Sequence, residues 1–398
     1  MPKKRAKRPD GDARVTRNVK RNRWEAKLTI GRDEDGRLVR KLYTGRTQKE
    51  VADKIDDARK ELAAGVDLVT AASTVKEYLD QWLTEVLPGT VSAGTLKNYS
   101  EVAKYWIIPQ IGDVKLAELT PGHVERMLRA LAADGKSTNT QRLARSVLRR
   151  ALRRAQQQGV LSRNVAQIAD GVKVSKKKEG RALSIEQART LLDHIASSDN
   201  RRIKRLETAW LTALSLGLRR GELLGLRWDD LELGGDTPVL RVRYALKRET
   251  GRGLVIEAPK TADSRRTLNL PTRLAHRLTA HRTAQHAERM AAGPAWELLP
   301  LGHDLVFRTE FGKAIDADNF RNCTYQVTEA AIHEKWSPHE LRHSAASILL
   351  AQGVPLEVVS ETLGHSSIRI TKDVYGHLMP AARKQAADAM DDALFGGA

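Results

Sequence analysis

The chain has 398 residues, a length that suits two or three domains better than one hydrophobic core. Its 68 lysines and arginines outnumber its 49 aspartates and glutamates and give a formal net charge of +19, so we expect a polyanionic partner, with nucleic acid the first choice. The single cysteine, Cys323, excludes an intramolecular disulfide, and no membrane span or signal peptide is visible, which together favour a reducing cytoplasm.

The N-terminal part predicts a basic arm followed by a small sheet and one helix. Residues 1–14 are basic and contain proline and glycine, a composition that favours disorder. Three short alternating runs at residues 15–20, 24–30 and 38–43 predict a three-stranded antiparallel sheet. Thr47 is then placed to cap a helix over residues 48–64, which Gly65 ends.

Basic residues crowd the first two of these predicted strands: Lys20, Arg21, Arg23 and Lys27. We interpret them as a DNA-binding surface of a domain at residues 15–68. The alternative is an accessory domain whose basic sheet is merely solvated.

An all-helical domain is predicted at residues 74–170, after a short linker rich in alanine, serine and threonine. Apolar periodicity predicts four helices, at residues 74–86, 93–109, 121–133 and 137–158. Four arginines of the last helix fall within roughly 80° of arc, opposite an apolar stripe: Arg142, Arg145, Arg149 and Arg153. On a merely solvated face these arginines, with no acid among them, would repel one another, so a phosphate backbone is the better partner.

A basic stretch at residues 173–180 precedes a third domain at residues 181–398. Ser184 and Gln187 predict a capping box that opens a helix to about Ala196, and residues 205–216 predict a buried helix that Gly217 ends. Runs at residues 239–244, 254–258 and 266–270 predict one small antiparallel sheet. The sequence therefore predicts an α+β fold, mainly α with small β-sheets, in three domains.

One stretch near the C-terminus carries the strongest chemical signal, Ser337-Pro-His-Glu-Leu-Arg-His343. Serine followed by proline, with glutamate at the third helical position, predicts a capping box at the start of a helix. The spacing puts His339 and Arg342 on one face of the first helical turn, beside free backbone N–H groups. Because this end of a helix favours anions, the stretch predicts a phosphate site.

Two further residues follow this stretch. Residues 355–363 predict a second helix, Gly364 ends it, and His365 stands just past that end. The apolar pattern restarts at Ser367 and places Tyr375 on a third helix. A tyrosine in such a helix is ordinarily half-buried packing, but the neighbouring histidines and arginine make Tyr375 a candidate nucleophile.

Five short motifs resemble those of the tyrosine recombinases, the phage-integrase family. Three resemble its C-terminal signatures: Pro338-His-Glu-Leu-Arg-His343, Leu363-Gly-His-Ser-Ser-Ile368 and Tyr375-Gly-His377. Two upstream motifs resemble its first arginine motif and the hairpin that carries its lysine: Gly217-Leu-Arg-Arg-Gly-Glu222 and Pro259-Lys-Thr-Ala-Asp-Ser-Arg265. The positions that match the family's catalytic residues are Arg219, Lys260, His339, Arg342, His365 and Tyr375, with Glu222 in a supporting role.

The resemblance implies an enzyme that cleaves and rejoins DNA through a 3′-phosphotyrosine, with no metal, cofactor or ATP. Tyr375 is the implied nucleophile, and Arg219 and Arg342 hold the non-bridging phosphate oxygens. His339 takes the tyrosine proton, His365 hydrogen-bonds the phosphate, and Lys260 protonates the leaving 5′-oxygen.

The resemblance also implies a role for each domain. Residues 15–68 resemble the arm-type DNA-binding domain, residues 74–170 the core-binding domain, and residues 181–398 the catalytic domain with a C-terminal tail that docks in cis or in trans. Such integrases act on double-stranded DNA at core and arm sites as homotetramers, often with a host DNA-bending factor and an excision directionality factor. The implied location is the bacterial cytoplasm, at the nucleoid, with no role for a membrane.

Other classes of protein compete for the same residues. His339-Glu-Leu-Arg-His343 has the H-E-x-x-H pattern of zinc proteases, with Glu361 as a third ligand, but Arg342 between the histidines opposes Zn²⁺. A DNA-binding regulator without catalysis has no need for Tyr375, Lys260 and His365 together. Type IB topoisomerases share much of the chemistry but have no reason to carry an arm-type domain.

Overall fold

The computed structural model describes residues 13–32, 36–63, 65, 67–171, 181–249, 251–258, 265–299, 303–365, 367–375, 388, 390–391, 393–394 and 396. Side chains at residues 71, 370 and 373–375 are outside this description. Most of the predicted basic arm also lies outside the described residues, as do the whole of the predicted linker at residues 173–180 and the turn that carries Lys260.

Two compact units make up the chain, residues 1–177 and 178–398. Their boundary falls within the predicted linker at residues 173–180. A further boundary near residues 69–74 stays a prediction.

A three-stranded sheet and one helix open the first unit. Strands β1 (Thr16–Asn18), β2 (Arg23–Arg32) and β3 (Leu38–Gly45) pair antiparallel in the order β1-β2-β3, and helix α1 (Gln48–Ala63) follows. Ala26, Leu28 and Ile30 alternate along β2 and form a small core with buried residues of α1. The Thr47 hydroxyl accepts a hydrogen bond from the Glu50 N–H and caps α1. The sheet and helix predicted for this region are confirmed.

Helices complete the first unit: α2 (Leu68–Ala71), α3 (Val75–Gln81), α4 (Ala93–Val102), α5 (Ile108–Ile111), α6 (Pro121–Ala133), α7 (Thr138–Gln157) and α8 (Val165–Ile168). The four predicted helices are confirmed in position. The first two are not continuous α-helices, because π-helical turns interrupt them at Trp82–Val86 and Ala103–Ile107.

The second unit is mostly helical: α9 (Ile185–Ala196), α10 (Arg201–Leu216), α11 (Arg220–Leu224), α12 (Thr272–Ala292), α13 (Ala317–Ile332), α14 (Pro338–Ala351), α15 (Leu356–Leu363) and α16 (Ile368–Tyr375). Its core contains Trp210 stacked on Phe320, with ring centroids 5.9 Å apart. Among the helices described in either unit, none combines the length and apolar composition needed to cross a membrane.

The single sheet predicted for this unit is wrong, because its strands divide into two sheets. Strands β4 (Leu231–Glu232), β5 (Val239–Val242) and β8 (Arg266–Asn269) pair in the order β4-β5-β8, whereas β6 (Ala245–Glu249) and β7 (Gly253–Glu257) form a separate hairpin. The segment that forms β6 was not predicted as a strand because Ala, Leu, Lys, Arg and Glu favour a helix in isolation. Tertiary packing overrides that preference: a Cβ on Gly225, just after α11, would lie 2.6 Å from the Leu246 nitrogen.

Candidate active site

The start of α14 has the predicted geometry. The Ser337 hydroxyl accepts from the Glu340 N–H at 3.2 Å, and the Glu340 carboxylate accepts from the Ser337 N–H at 2.7 Å. This reciprocal capping box is confirmed, and it fixes His339 and Arg342 in the first turns of the helix.

Arg342 joins the ends of two other helices. Its side chain is 3 % exposed, and its Nη1 and Nη2 donate to the carbonyls of Gly217 at 2.6 Å and Leu363 at 2.7 Å. Gly217 ends α10 at a φ of +59°, and a Cβ there would lie 2.6 Å from a Leu363 methyl carbon. Glycine is therefore needed at this position both for its left-handed conformation and for the close approach of α15.

Arg219 stands two residues beyond Gly217 and reaches the same end of α15. Its Nη1 donates to Glu222 Oε1 at 2.8 Å, and its Nη2 donates to the Gly364 carbonyl at 2.6 Å. Glu222 is 4 % exposed. Burial on its own raises the pKa of Glu222, but the guanidiniums of Arg266 and Arg219 outweigh burial and hold that pKa below its usual range. Glu222 is therefore a carboxylate that orients Arg219.

His365 follows the left-handed turn at Gly364, whose φ is +65°. The His365 Nδ1 lies 2.8 Å from the hydroxyl oxygen of Thr371, a fully buried residue of α16. Burial first, and then the positive charges of Arg342 and Arg219, lower the pKa of His365 to about 4. At neutral pH this imidazole is uncharged, so it acts as a hydrogen-bonding group and not as a cation.

His339 experiences the same positive potential. The pKa of His339 is lowered below its usual value. Loss of hydration on burial is the largest cause, and the positive charges of Arg342 and Arg219 add to it. A potential that disfavours imidazolium stabilises a bound anion, and the N-terminus of α14 adds to it. The structure therefore brings Arg219, His339, Arg342 and His365 together into a site suited to a phosphate group.

Two of the six predicted catalytic positions are described only in part or not at all. Tyr375 is the last residue of α16, so its predicted helical position is confirmed, but its side chain lies outside the description. Lys260 lies outside the described residues. The catalytic roles of all six positions stay predictions.

Two residues of the site were missed in the sequence, Arg266 and Thr371, and His343 was singled out only as part of the zinc-protease pattern. Arg266 is the first residue of β8, and the period of two along a strand puts it on the same face as buried Leu268. An arginine on a buried face was the signal that could have identified it. His343 lies one turn after His339, with ring centroids 4.6 Å apart, and Thr371 is fully buried in α16.

The zinc-protease pattern does not assemble into a ligand set. In the ranges that the structure describes, no three His, Cys, Asp or Glu side chains are grouped so that they could hold a metal ion. The charges that act most strongly on His339 are those of Arg342 and Arg219, and both lower its pKa. This electrostatic environment favours an anion over a cation.

The predicted DNA-binding arginines of α7 have different surroundings. Arg142, Arg149 and Arg153 are exposed, and Arg149 and Arg153 line a cleft of about 850 Å³. Arg145 differs, because its Nε donates to the Ala166 carbonyl at 3.0 Å and its Nη2 to the Gln167 carbonyl at 3.3 Å. Arg145 therefore connects α7 to α8 within the first unit. The angular positions of the four arginines around the helix did not predict this contact.

Lys20 and Arg21 lie in the first turn of the N-terminal sheet and Arg23 begins β2, whereas Lys27 lies further along β2, opposite Leu42 of β3. Lys20, Arg21 and Lys27 are exposed. Arg23 is partly buried, and its Nε lies 3.8 Å from the Glu25 carboxylate. Because side chains alternate along β2, Arg23 and Lys27 share the face opposite to Ala26 and Leu28.

The low pKa of His365 predicts a pH dependence of folding stability. The folded chain keeps His365 neutral down to about pH 4, whereas the unfolded chain binds this proton near pH 6.5, so acidification through this window favours unfolding. His365→Gln should therefore lose less melting temperature than the wild type between neutral pH and pH 5. Thermal unfolding at both pH values measures this, with exposed His276→Gln as the control; an equal loss in all three proteins would contradict the assignment.

Comparison with known proteins agrees with the fold. Residues 181–381 match the phage integrase family, and residues 74–132 match the phage integrase N-terminal SAM-like domain. An integrase from Streptomyces ambofaciens is 32% identical, and the match covers 98% of this chain and 98% of that protein. A XerC-like tyrosine recombinase from Caldanaerobacter subterraneus subsp. tengcongensis is 30% identical, over 96% of this chain and 99% of that protein.

Solved structures share the fold. The Tn1549 transposon integrase in complex with transposon right end DNA matches with a TM-score of 0.68 and 19% identity, over 81% of this chain and 99% of that chain. A lambda integrase tetramer bound to a Holliday junction matches with a TM-score of 0.52 and 18% identity, over 94% of this chain and 96% of that chain. The chain belongs to the phage integrase family, whose members are site-specific tyrosine recombinases.

Proposed function

We propose that this recombinase cleaves and rejoins double-stranded DNA with Tyr375 as its nucleophile, and that it integrates and excises a mobile element. The convergence of Arg219 and Arg342 on the end of α15, beside two histidines of lowered pKa, is the observation that carries the proposal. Planar guanidiniums hold two oxygens of a phosphate at once, as charge accumulates on those oxygens during attack. Each donor preorganised in this way typically contributes about 3–4 kcal/mol.

The proposed proton transfers follow from the protonation states of His339 and His365. Only about one tyrosine in a thousand is ionised at pH 7, so attack needs a base. His339 is neutral at that pH because its pKa is lowered, and it accepts the proton of Tyr375. Neutral His365 hydrogen-bonds the phosphate, and Lys260 protonates the leaving oxygen.

The chemistry balances without a cofactor. The tyrosine oxygen forms a bond to phosphorus as the bond from phosphorus to the 5′-oxygen breaks, giving a 3′-phosphotyrosine and a 5′-hydroxyl. Attack by a 5′-hydroxyl of a partner strand reverses the step and releases the tyrosine. Because one phosphodiester replaces another, strand exchange needs no ATP.

A DNA duplex with a nick near the cleavage site tests this function, since loss of the short fragment traps the covalent complex. The wild-type protein should form a protein–DNA adduct that survives denaturing gels, with excess EDTA present. Tyr375→Phe should bind the same DNA with unchanged affinity and form no adduct. An adduct with Tyr375→Phe, or a requirement for metal, would remove the proposed mechanism.

We infer that the active assembly is a homotetramer on two DNA duplexes, formed at the nucleoid in the bacterial cytoplasm. The tetrameric lambda integrase on a Holliday junction supports this assembly by its shared fold. Arm sites on the same DNA would engage residues 15–68 and the exposed basic residues around the first turn of the sheet. A host DNA-bending factor and an excision directionality factor would then bring arm and core sites together and set the direction.

The arm-binding role predicts a selective loss of affinity. Joint replacement of Lys20, Arg21 and Lys27 by alanine should leave cleavage of a short core site unchanged and weaken binding to longer DNA that carries arm sites. The salt dependence of that binding should also become shallower, by a slope of about 0.9 for each phosphate that the protein no longer neutralises.

A matched control is available on α1, where Lys49, Lys54 and Lys60 are exposed. Their joint replacement by alanine removes the same charge and should leave arm-site binding nearly unchanged. Equal weakening by both triple variants would show that net charge, and not the sheet surface, determines the affinity.

A further inference from the structure

We propose that Arg266 is a positioning residue, which holds Arg219 and the end of α15 in the arrangement that cleavage requires. The inference rests on the proposed function, because it concerns the same phosphate site. Arg266 opens β8 and pairs with Val242 of β5, so a strand of the β4-β5-β8 sheet fixes its backbone. Its side chain leaves this sheet on the buried face and enters the site.

The contacts of Arg266 connect two parts of the site. Its Nη2 donates to Glu222 Oε2 at 3.0 Å, and its Nε donates to the Thr362 carbonyl at 2.7 Å. The side chains of Arg266 and Glu222 are 8% and 4% exposed. Glu222 offers its other oxygen to Arg219, so one carboxylate bridges Arg266 and Arg219.

Three consecutive carbonyls at the end of α15 each accept a hydrogen bond from a different arginine. The Thr362 carbonyl accepts from Arg266, the Leu363 carbonyl from Arg342, and the Gly364 carbonyl from Arg219. The end of a helix carries partial negative charge on such carbonyls, which favours guanidiniums there. Arg266 therefore holds in place the end of α15, to which the two proposed phosphate-binding arginines donate their hydrogen bonds.

The turn that carries His365 is built around the same guanidinium. A Cβ on Gly364 would lie 2.8 Å from Arg266 Nη1, so glycine lets the turn pack against this guanidinium, and its φ of +65° also favours glycine. The pKa of His365 responds to Arg266 as well as to Arg342 and Arg219. A shift of Arg266 would thus move Arg219 through Glu222, and it would move His365 through the turn.

The substitution Arg266→Lys distinguishes the hydrogen-bonding geometry of Arg266 from its positive charge. Its ammonium keeps the positive charge but lacks the planar fork that reaches Glu222 and the Thr362 carbonyl together. We expect Arg266→Lys to lower single-turnover cleavage by about 100-fold, as displacement of catalytic groups by about 1 Å does. DNA affinity should stay within about twofold of the wild type, since other contacts to the backbone dominate binding.

A methylphosphonate at the cleaved position tests whether Arg266 acts through Arg219. This substrate replaces one charged non-bridging oxygen by a neutral methyl group, so the arginines contribute less to the rate. The loss caused by Arg219→Lys should shrink on this substrate, and the loss caused by Arg266→Lys should shrink in parallel. Arg266→Lys combined with Glu222→Gln should lose little more than the worse single variant, as coupled residues do.

Arg241 supplies the matched control, because it lies on the neighbouring strand β5 and pairs with Glu232 at 2.7 Å. Arg241→Lys should cleave both substrates at the wild-type rate. Near-wild-type cleavage by Arg266→Lys, or an equal loss on phosphate and methylphosphonate, would overturn the positioning role. Failure of the wild-type protein to form any covalent adduct would instead refute the proposed function, so the two failures are distinguishable.

Discussion

Replacing Arg342 by lysine is expected to lower the rate of DNA cleavage by about 10²–10³-fold, the usual effect of removing one preorganised donor. An ammonium cannot donate to the carbonyls of Gly217 and Leu363 and also hold phosphate oxygens. DNA binding should change little, because the chain carries 68 lysines and arginines in all and phosphate contacts are spread over many such residues. Single-turnover cleavage of saturated complexes measures the effect on the chemical step.

Stability has to be separated from catalysis in this experiment. Arg342→Lys leaves a buried carbonyl without its donor, which costs about 1–3 kcal/mol of unfolding free energy. Arg308 is a matched control, since it is 4% exposed and donates to the carbonyls of Leu305 and His303. Arg308→Lys should lose comparable stability and retain the cleavage rate. Equal loss of rate in both variants would assign the Arg342 effect to folding.

Replacing Lys260 by alanine is expected to slow cleavage of ordinary DNA strongly and to spare DNA with a bridging 5′-sulfur. An alkoxide is a poor leaving group and needs an acid as the bond to phosphorus breaks. A thiolate leaves without that proton, because thiols are more acidic than alcohols by several pKa units. Cleavage rates on matched oxygen and sulfur substrates give the size of the recovery.

Arg219→Ala is the control for the sulfur experiment. In the proposed mechanism Arg219 stabilises the non-bridging oxygens whatever group leaves, so its variant should gain no comparable recovery. Equal recovery of both variants, or of neither, would remove Lys260 from the role of general acid.

The local parts of this fold could be predicted because their signals lie within a few residues of one another. The capping box of Ser337 and Glu340 and the glycine stops at Gly217 and Gly364 depend on neighbouring backbone alone. These features gave the helices of the second unit their ends. They also placed His339, Arg342 and His365 where the site needs them.

The remaining features depend on contacts between distant segments. Arg342 donates to the carbonyl of Gly217, which lies 125 residues away, and Arg266 donates to that of Thr362, which lies 96 residues away. The periodicity of apolar residues along the sequence does not predict such long-range hydrogen bonds. The hairpin of β6 and β7 and the π-helical turns were missed for the same reason, since tertiary packing decides them.

The resemblance to the motifs of the family predicted some of these long-range relations. It brought Arg219 and Glu222 into one site with residues more than 100 positions later, which local pattern could not do. It did not identify Arg266 or Thr371, which contact Glu222, the Thr362 carbonyl and His365. The sequence therefore predicted the positions of Arg219, His339, Arg342 and His365 but not the residues that pack around them.

Identifying the residue and the DNA end joined in the covalent complex tests whether Tyr375 is the nucleophile. The complex trapped on nicked DNA can be digested with a protease and a nuclease and the linked peptide sequenced by mass spectrometry. We expect a nucleotide joined through its 3′-phosphate to the tyrosine of the peptide that contains Tyr375, with a free 5′-hydroxyl on the released strand. A link to another residue, or a 5′-phosphate joined to the protein, would contradict the account.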